Sequence, residues 1–188
     1  MRFKNYLIVE MSLDSAVEFA TFKHRNQKRS GGEPYIVHPT GVFEILKKLK
    51  VNNVIILVAS FLHDTLEDTN TTYNEIKDKF NKEVADLVAQ LTSNSKEIDK
   101  MGKPEYLLQK MIKMSSNSLT IKLADRLHNL SDIVSVNKKF ADKMWSQTTY
   151  IIKRLRTERV LNTTQKKLVR SIEKQLDMYK LKGSQYEI

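Results

Sequence analysis

The chain has no cysteine, and only five of its 188 residues are glycine and three are proline. The absence of cysteine excludes a disulfide framework and the thiolate ligation of zinc, and it favours the reducing cytoplasm. No stretch approaches the roughly 18 apolar residues that predict a membrane span, and the N-terminus leads into no apolar run typical of a secretory signal. We therefore expect a cytoplasmic protein with no membrane partner.

The scarcity of glycine and proline, without a sustained alternation of apolar and polar residues, predicts an all-helical (all-α) fold. The length suits one core, so we predict a single domain over residues 1–188, a bundle of about 8–10 helices. Ser12 is expected to cap a first helix ending near Lys28, and two long helices within 138–180 are expected to complete the domain. The polar stretch from Thr92 to Lys103 predicts the longest loop, either a lid or a plain connection.

The formal net charge is +10, and the residues from Lys138 onward contribute +8 of it, with 13 basic and five acidic side chains. This distribution is typical of two solvated helices, or of a positive rim that attracts a phosphate-rich ligand. Aromatic residues are too scattered there to predict stacking of bases, so nucleic acid is not the partner we expect.

The most unusual segment is His63–Asp68, which reads His-Asp-Thr-Leu-Glu-Asp and follows the apolar run Val54–Leu62. A run that is apolar on all sides predicts a buried helix, which would deliver these polar groups into the interior. Burying them uncompensated would cost several kcal/mol, so we expect a cation or a hydrogen-bond network beside them.

Four residues from three segments are the candidate metal ligands: His38, His63, Asp64 and Asp125. Two nitrogens and two oxygens suit manganese and, less selectively, iron, zinc or magnesium. Only His24 and His128 remain as further imidazoles, and we expect both at the surface or behind the ligands. The sequence therefore predicts one metal ion rather than two.

Glu67 and Asp68 lie three and four residues beyond Asp64. If the helix continues, they lie near the metal, where one could position or deprotonate a water and the other protonate a leaving group. The alternative is that they cap the turn at residues 69–71.

Three segments, residues 24–39, 61–69 and 121–130, resemble the hydrolase domain of the RelA/SpoT alarmone enzymes within the HD phosphohydrolase superfamily. They read His-Arg-Asn-Gln-Lys-Arg-Ser-Gly-Gly-Glu-Pro-Tyr-Ile-Val-His-Pro, Phe-Leu-His-Asp-Thr-Leu-Glu-Asp-Thr and Ile-Lys-Leu-Ala-Asp-Arg-Leu-His-Asn-Leu. The resemblance covers roughly residues 12–135, and the compact length is similar to the stand-alone small alarmone hydrolases, which include the metazoan SpoT homologue. It implies an all-helical HD domain that removes the 3′-diphosphate of ppGpp or pppGpp, giving GDP or GTP and pyrophosphate.

The resemblance also implies residue roles. One manganese ion is expected on His38, His63, Asp64 and Asp125, and Glu67 and Asp68 are expected to activate the water. The residues expected to bind the nucleotide are Arg29, Asn129, Lys122 and Tyr150, with Lys153 the alternative to Tyr150. Ser30 stands where long family members commonly carry a second basic residue, and Lys28 is the candidate substitute. We expect no alarmone synthesis, because the chain ends before a synthetase domain could fit.

Two other functions stay open at this point. The same metal centre could remove the 2′-phosphate of NADPH or act on another nucleotide, or the chain could be a non-catalytic nucleotide-binding regulator. The sequence does not distinguish a monomer from a homodimer.

Overall fold

The computed structural model describes the backbone of residues 2–132 and 137–184 and the side chains of residues 12–132 and 137–180. The regular structure within these residues is helical, and the predicted all-helical class is confirmed. The eleven segments include several short ones, of which α4 has only four residues. They are α1 (Arg2–Lys23), α2 (Val37–Lys48), α3 (Val54–Leu62), α4 (Thr65–Asp68), α5 (Tyr73–Lys79), α6 (Lys82–Leu91), α7 (Ser95–Met101), α8 (Lys103–Lys113), α9 (Ser116–Ser131), α10 (Lys138–Glu158) and α11 (Thr163–Ser184).

The described residues divide into two compact units. The first contains the chain up to Ser93 together with Ser115–Ile121, and the second contains Asn94–Met114 together with the residues from Lys122 onward. Helix α9 begins in the first unit and ends in the second. The single domain over residues 1–188 stays a prediction. None of the described helices is both long and apolar enough to cross a membrane.

Helix α3 forms the centre of the first unit. It packs against α1, α2 and α6, and its residues from Ile56 to Leu62 are all buried. Contact on several sides explains why the run is apolar all round, since each buried large aliphatic or aromatic side chain contributes about 1.5–3 kcal/mol. The Asn53 side chain caps the helix by accepting the N–H groups of Ile55 and Ile56. The next residue after the helix is His63.

Helix α10 forms the centre of the second unit, where it packs against α8 and α11. Arg159, directly after α10, donates from Nη1 to the backbone carbonyls of Met111, Ile112 and Met114 at 2.7, 2.8 and 2.7 Å. Carbonyls at the end of a helix lack intrahelical partners, so this one side chain caps the C-terminus of α8.

The structure corrects the predicted bounds of the first helix. Helix α1 already includes Ser12, which is therefore not a cap, and it ends at Lys23 rather than near Lys28. The chain turns directly after α1, where the N–H of Gln27 donates to the carbonyl of His24 at 2.8 Å.

The predicted loop from Thr92 to Lys103 is wrong over Ser95–Met101, which forms α7. The Asn94 side chain accepts the N–H groups of Lys96 and Glu97, and Gly102 follows the helix with a φ of 80°. The asparagine cap marks the start of the helix, and the glycine marks its end. The apolar pattern missed this helix because α7 buries none of its residues.

Candidate metal centre

A tight hairpin precedes α2 and brings His38 to the first turn of that helix. The N–H of Arg29 donates to the carbonyl of Glu33, and the N–H of Gly32 donates back to the carbonyl of Arg29, each at 2.9 Å. Gly32 has a φ of 93°, which glycine adopts without the steric cost that other residues meet. The sequence Ser-Gly-Gly-Glu therefore forms the turn, and His38 follows on α2.

His38 and His63 are each only 1% exposed, and their Nε2 atoms lie 3.2 Å apart. The Nδ1 atom of His63 is 2.7 Å from the backbone carbonyl of Ser60. A carbonyl can only accept, so Nδ1 carries the hydrogen and the Nε2 atom of neutral His63 presents its lone pair towards His38. A backbone carbonyl that orients an imidazole in this way is typical of a metal-binding histidine.

The carboxylate of Asp64 joins the two imidazoles. Its Oδ2 atom lies 3.1 Å from Nε2 of His63 and 3.6 Å from Nε2 of His38, and its side chain is 17% exposed. Two buried nitrogens and one carboxylate oxygen that converge in this way fit a divalent cation of borderline or hard character. The first unit thus brings together three of the four predicted ligands.

Tyr35 is a residue of this site that the sequence analysis missed. Its hydroxyl donates to Oδ2 of Asp64 at 2.6 Å and lies 3.2 Å from Oδ2 of Asp68. The guanidinium of Arg29 lies 5.7 Å from the centre of its ring. The one signal for Tyr35 in the sequence was its position, three residues before His38 and directly after a turn.

Helix α3 does not continue through Glu67 and Asp68, which was the condition under which the sequence placed both acids near the metal. It ends at Leu62, and α4 is a separate single turn. The N–H groups of Glu67 and Asp68 both donate to the backbone carbonyl of Asp64, at 3.2 and 2.9 Å. The carboxylate of Glu67 accepts the N–H of Ser93 at 2.7 Å. Backbone hydrogen bonds therefore tie both acids to the candidate ligand Asp64.

The pKa of Asp68 is raised above its ordinary value. The largest cause is partial desolvation of its carboxyl group, followed by the negative charge of Asp64; the hydrogen bond from Tyr35 opposes both. A carboxyl group with a raised pKa exchanges a proton closer to neutral pH, which suits acid–base chemistry.

His24 lies behind Tyr35 and is only 2% exposed. Of the two placements expected for it, at the surface or behind the ligands, the surface placement is therefore wrong. Its ring stacks on that of Tyr35, with centroids 4.5 Å apart and an interplanar angle of 23°. Its Nδ1 is 2.7 Å from Oε1 of Gln27, whose amide nitrogen donates to the backbone carbonyl of Asp68. The sequence offered no signal for this arrangement beyond the three-residue spacing of His24 and Gln27.

The second unit holds Asp125, Lys122 and Asn129, which lie together on α9. The side chain of Asp125 is 7% exposed, and Lys122 contacts its Oδ2 at 2.8 Å while Asn129 donates to its Oδ1 at 2.5 Å. Both oxygens are held by residues one helical turn away, and the lysine balances the buried negative charge. His128, on the same helix, lies 3.8 Å from a carboxylate oxygen of Asp132. The nucleotide contacts of Lys122 and Asn129 stay predictions.

Tyr150 also lies in the second unit, where it is 39% exposed. Its hydroxyl donates to Oε2 of Glu105 at 2.5 Å, and Arg154 contacts the same oxygen at 2.7 Å. The pKa of Glu105 is lowered, first by the hydrogen bond from Tyr150, then by that from Gln109, with the charge of Arg154 contributing less. The choice between Tyr150 and Lys153 as a substrate contact stays open.

Comparison with known proteins identifies relatives of this chain. A family model described as the HD domain matches residues 16–160. The guanosine-3′,5′-bis(diphosphate) 3′-pyrophosphohydrolase MESH1 of Xenopus tropicalis is 37% identical over 135 residues, which are 70% of this chain and 73% of that protein. The human protein of the same name is 38% identical over 121 residues, 63% of this chain and 67% of that protein.

A longer relative is the guanosine-3′,5′-bis(diphosphate) 3′-pyrophosphohydrolase of Aquifex aeolicus, 38% identical over 141 residues. The match spans 74% of this chain but only 20% of the Aquifex protein.

Two solved structures share the fold. One is a metazoan orthologue of SpoT described as hydrolysing ppGpp, with a TM-score of 0.76 and 24% identity over 89% of this chain and 95% of that one. The other is lmo0812 from Listeria monocytogenes, with a TM-score of 0.61 and 26% identity over 78% of this chain and 98% of that one.

Proposed function

Because the chain belongs to the HD-domain family, we propose that it is a divalent-metal-dependent hydrolase of the 3′-diphosphate of ppGpp or pppGpp, releasing pyrophosphate and GDP or GTP. The observation that carries this proposal is the convergence of His38, His63 and Asp64 in the first unit, with the hydroxyl of Tyr35 on the carboxylate. The names of the relatives, which specify this reaction, support the choice of substrate.

The proposed ligands are His38, His63, Asp64 and Asp125, and the proposed ion is one Mn²⁺. Imidazole and carboxylate donors in equal number suit manganese. Asp125 is the fourth proposed ligand because the family resemblance implies it, and its buried carboxylate, held by Lys122 and Asn129 on α9, is a group of the type that binds such an ion. When bound, the ion supplies a Lewis acid that polarises a phosphoryl oxygen and lowers the pKa of water.

The proton-transfer role is assigned to Asp68 and a positioning role for the attacking water to Glu67. The raised pKa of Asp68 and its contact with Tyr35 support the first assignment. Glu67 accepts the backbone N–H of Ser93, which holds its carboxylate in one orientation and supports the second. The hydroxyl of Tyr35 donates to the carboxylate of Asp64 and holds that proposed ligand in one orientation.

The nucleotide is proposed to bind through Arg29, Lys122, Asn129 and Tyr150. The Arg29 guanidinium, at the hairpin before α2, suits contact with phosphate or a base because it is planar and always charged. The single domain over residues 1–188 and a cytoplasmic location belong to the same proposal.

The test is product identification. Metal-free protein is incubated with ppGpp, pppGpp or NADPH and with Mn²⁺, Mg²⁺ or Zn²⁺, and nucleotides and phosphates are separated by anion-exchange chromatography. We expect pyrophosphate with GDP or GTP, and the fastest turnover with Mn²⁺. Inorganic phosphate with NADH would identify the NADPH 2′-phosphatase instead.

A matched pair of variants ties turnover to the site. Asp64→Asn should abolish pyrophosphate release, whereas Asp86→Asn should not, although Asp86 likewise accepts a tyrosine hydroxyl at 2.6 Å in the same unit. Tight ppGpp binding by calorimetry without turnover under any metal would contradict the enzyme and favour a nucleotide-binding regulator.

A further inference from the structure

His24 is a buried imidazole of the first unit to which neither metal binding nor proton transfer gives a role. The amide nitrogen of Gln27 donates to the carbonyl of Asp68, so the amide oxygen of Gln27 faces His24 and Nδ1 of His24 carries the hydrogen. Its other nitrogen, Nε2, is buried and has no hydrogen-bond partner within the described part of the chain. Hydrogen bonding through Nε2 therefore does not explain why an imidazole stands here.

The ring face of His24 has a clear neighbour. It lies nearly parallel to the phenol ring of Tyr35, at 4.5 Å and 23°. The hydroxyl at the far end of that phenol is the group that contacts Asp64 and Asp68. Because the hydroxyl is the part of the ring most distant from the backbone, a small tilt of an unsupported ring would displace it most.

The ring edge of His24 acts on different groups. Nδ1 donates to the side-chain oxygen of Gln27, whose side-chain nitrogen donates to the backbone carbonyl of Asp68. Separately, the backbone carbonyl of Gln27 accepts the N–H of Tyr35. The edge is thus connected to the backbone of the proposed proton-transfer residue.

We propose that His24 is a positioning residue with two separable actions on this site. Its ring face fixes the hydroxyl of Tyr35 and thereby the candidate ligand Asp64, and its Nδ1–H fixes Gln27 and thereby the backbone of Asp68. This inference rests on the proposed function, in which Asp64 is a metal ligand and Asp68 transfers a proton.

Three variants separate the two actions. His24→Leu removes face and edge at similar volume, His24→Phe keeps an aromatic face but loses Nδ1, and Gln27→Leu breaks only the edge contacts. Mn²⁺ affinity is measured by calorimetry on metal-free protein, and kcat and KM are measured for ppGpp hydrolysis. The first readout reports on Asp64, and kcat also reports on Asp68.

We expect His24→Leu to weaken Mn²⁺ binding and to lower kcat, each on the order of tenfold, as is usual when a partner behind a metal ligand is lost. His24→Phe should restore Mn²⁺ affinity to within about twofold of the parent and leave kcat low, and Gln27→Leu should behave like His24→Phe. KM should stay within about twofold of the parent in all three variants, since His24 is proposed to position Asp64 and Asp68 and not the nucleotide.

Phe43→Leu is the matched control for the loss of a ring stack. Phe43 stacks on Phe61 in the same unit, at 4.7 Å and 28°, a geometry close to that of the His24 and Tyr35 pair. This variant should lower the melting temperature, as the loss of core packing does, and leave Mn²⁺ affinity and kcat unchanged.

His24→Leu with both readouts within about twofold of the parent would overturn the proposal, and so would His24→Phe binding Mn²⁺ as weakly as His24→Leu. If His24→Leu lacks a folded circular dichroism spectrum, His24→Phe and Gln27→Leu decide, since both must keep Mn²⁺ affinity and lower kcat. A parent protein that binds Mn²⁺ but releases no pyrophosphate would refute the proposed function instead, and the Mn²⁺ measurements would still decide on the ring face.

Discussion

Replacing Tyr35 by phenylalanine removes one hydroxyl from the candidate metal centre and keeps the ring that stacks on His24. The hydroxyl carries a single hydrogen, and the 2.6 Å contact with Asp64 takes it in preference to the 3.2 Å contact with Asp68. The variant therefore deletes, in effect, one hydrogen bond to a carboxylate.

The size of the effect follows from that bond. A hydrogen bond to a charged group contributes about 1.5–3 kcal/mol, and the Asp64 side chain, at 17% exposure, is screened only partly by water. Since about 1.4 kcal/mol corresponds to a factor of ten, we expect Mn²⁺ binding to weaken roughly ten- to hundredfold. The value of kcat at saturating Mn²⁺ should fall less, because excess metal refills the site.

The measurements are calorimetric titration of metal-free protein with Mn²⁺ and pyrophosphate release at several Mn²⁺ concentrations. Tyr73→Phe is the control, because the Tyr73 hydroxyl also donates to a carboxylate at 2.6 Å, that of Asp86, in the same unit. Equal Mn²⁺ affinity in Tyr35→Phe and Tyr73→Phe would refute the reasoning.

Four further predictions concern stability. Asn53→Ala removes the cap of α3 and should cost about 1 kcal/mol, a fall of about 2–4 °C in melting temperature. Gly102→Ala should cost about 1–3 kcal/mol in urea unfolding, because a φ of 80° with a ψ of 145° is strained for alanine although space for its methyl group is open. The pKa of Glu105 in the folded state lies below its ordinary 4.5. Ionised Glu105 therefore stabilises the fold above pH 4.5, and this stabilisation is lost as the pH falls through the folded-state pKa. Melting curves of Glu105→Gln should accordingly depend less on pH in that acidic range than those of the parent. Mn²⁺ at a hundredfold excess over its dissociation constant should stabilise the metal-free protein by about 2.7 kcal/mol, and an unchanged melting temperature would contradict a folded-state metal site.

The sequence predicts the parts of this fold that depend on apolar pattern. The run Val54–Leu62 is the clearest case, because a helix that contacts several neighbours has no polar face. The apolar pattern did not predict helix α7, since a surface helix without buried residues has no apolar stripe. Its caps, Asn94 and Gly102, were readable, but caps alone are weaker evidence than periodicity.

For the site, residue chemistry alone selected His38, His63, Asp64 and Asp125, and the family resemblance selected the same set. Neither decided whether the helix continues through Glu67 and Asp68, because the residues after Leu62 carry no apolar pattern that marks a turn of the backbone. Tyr35 was missed, and His24 was left between the surface and a position behind the ligands, for a related reason. Their roles come from a stacked pair of rings and a shared hydroxyl, which are contacts between side chains that leave no periodicity in the sequence.

The single turn of α4 restricts how this site can change over evolution. The carbonyl of Asp64 accepts the N–H groups of both Glu67 and Asp68, so the backbone fixes the three residues relative to one another. An insertion or deletion between Asp64 and Asp68 would displace all three. The hairpin before α2 closes on its own backbone instead, through the N–H of Arg29 on the carbonyl of Glu33 and the N–H of Gly32 on the carbonyl of Arg29. We therefore expect relatives that act on other phosphate esters to keep the spacing from Asp64 to Asp68 and to differ in the length and charge of this hairpin.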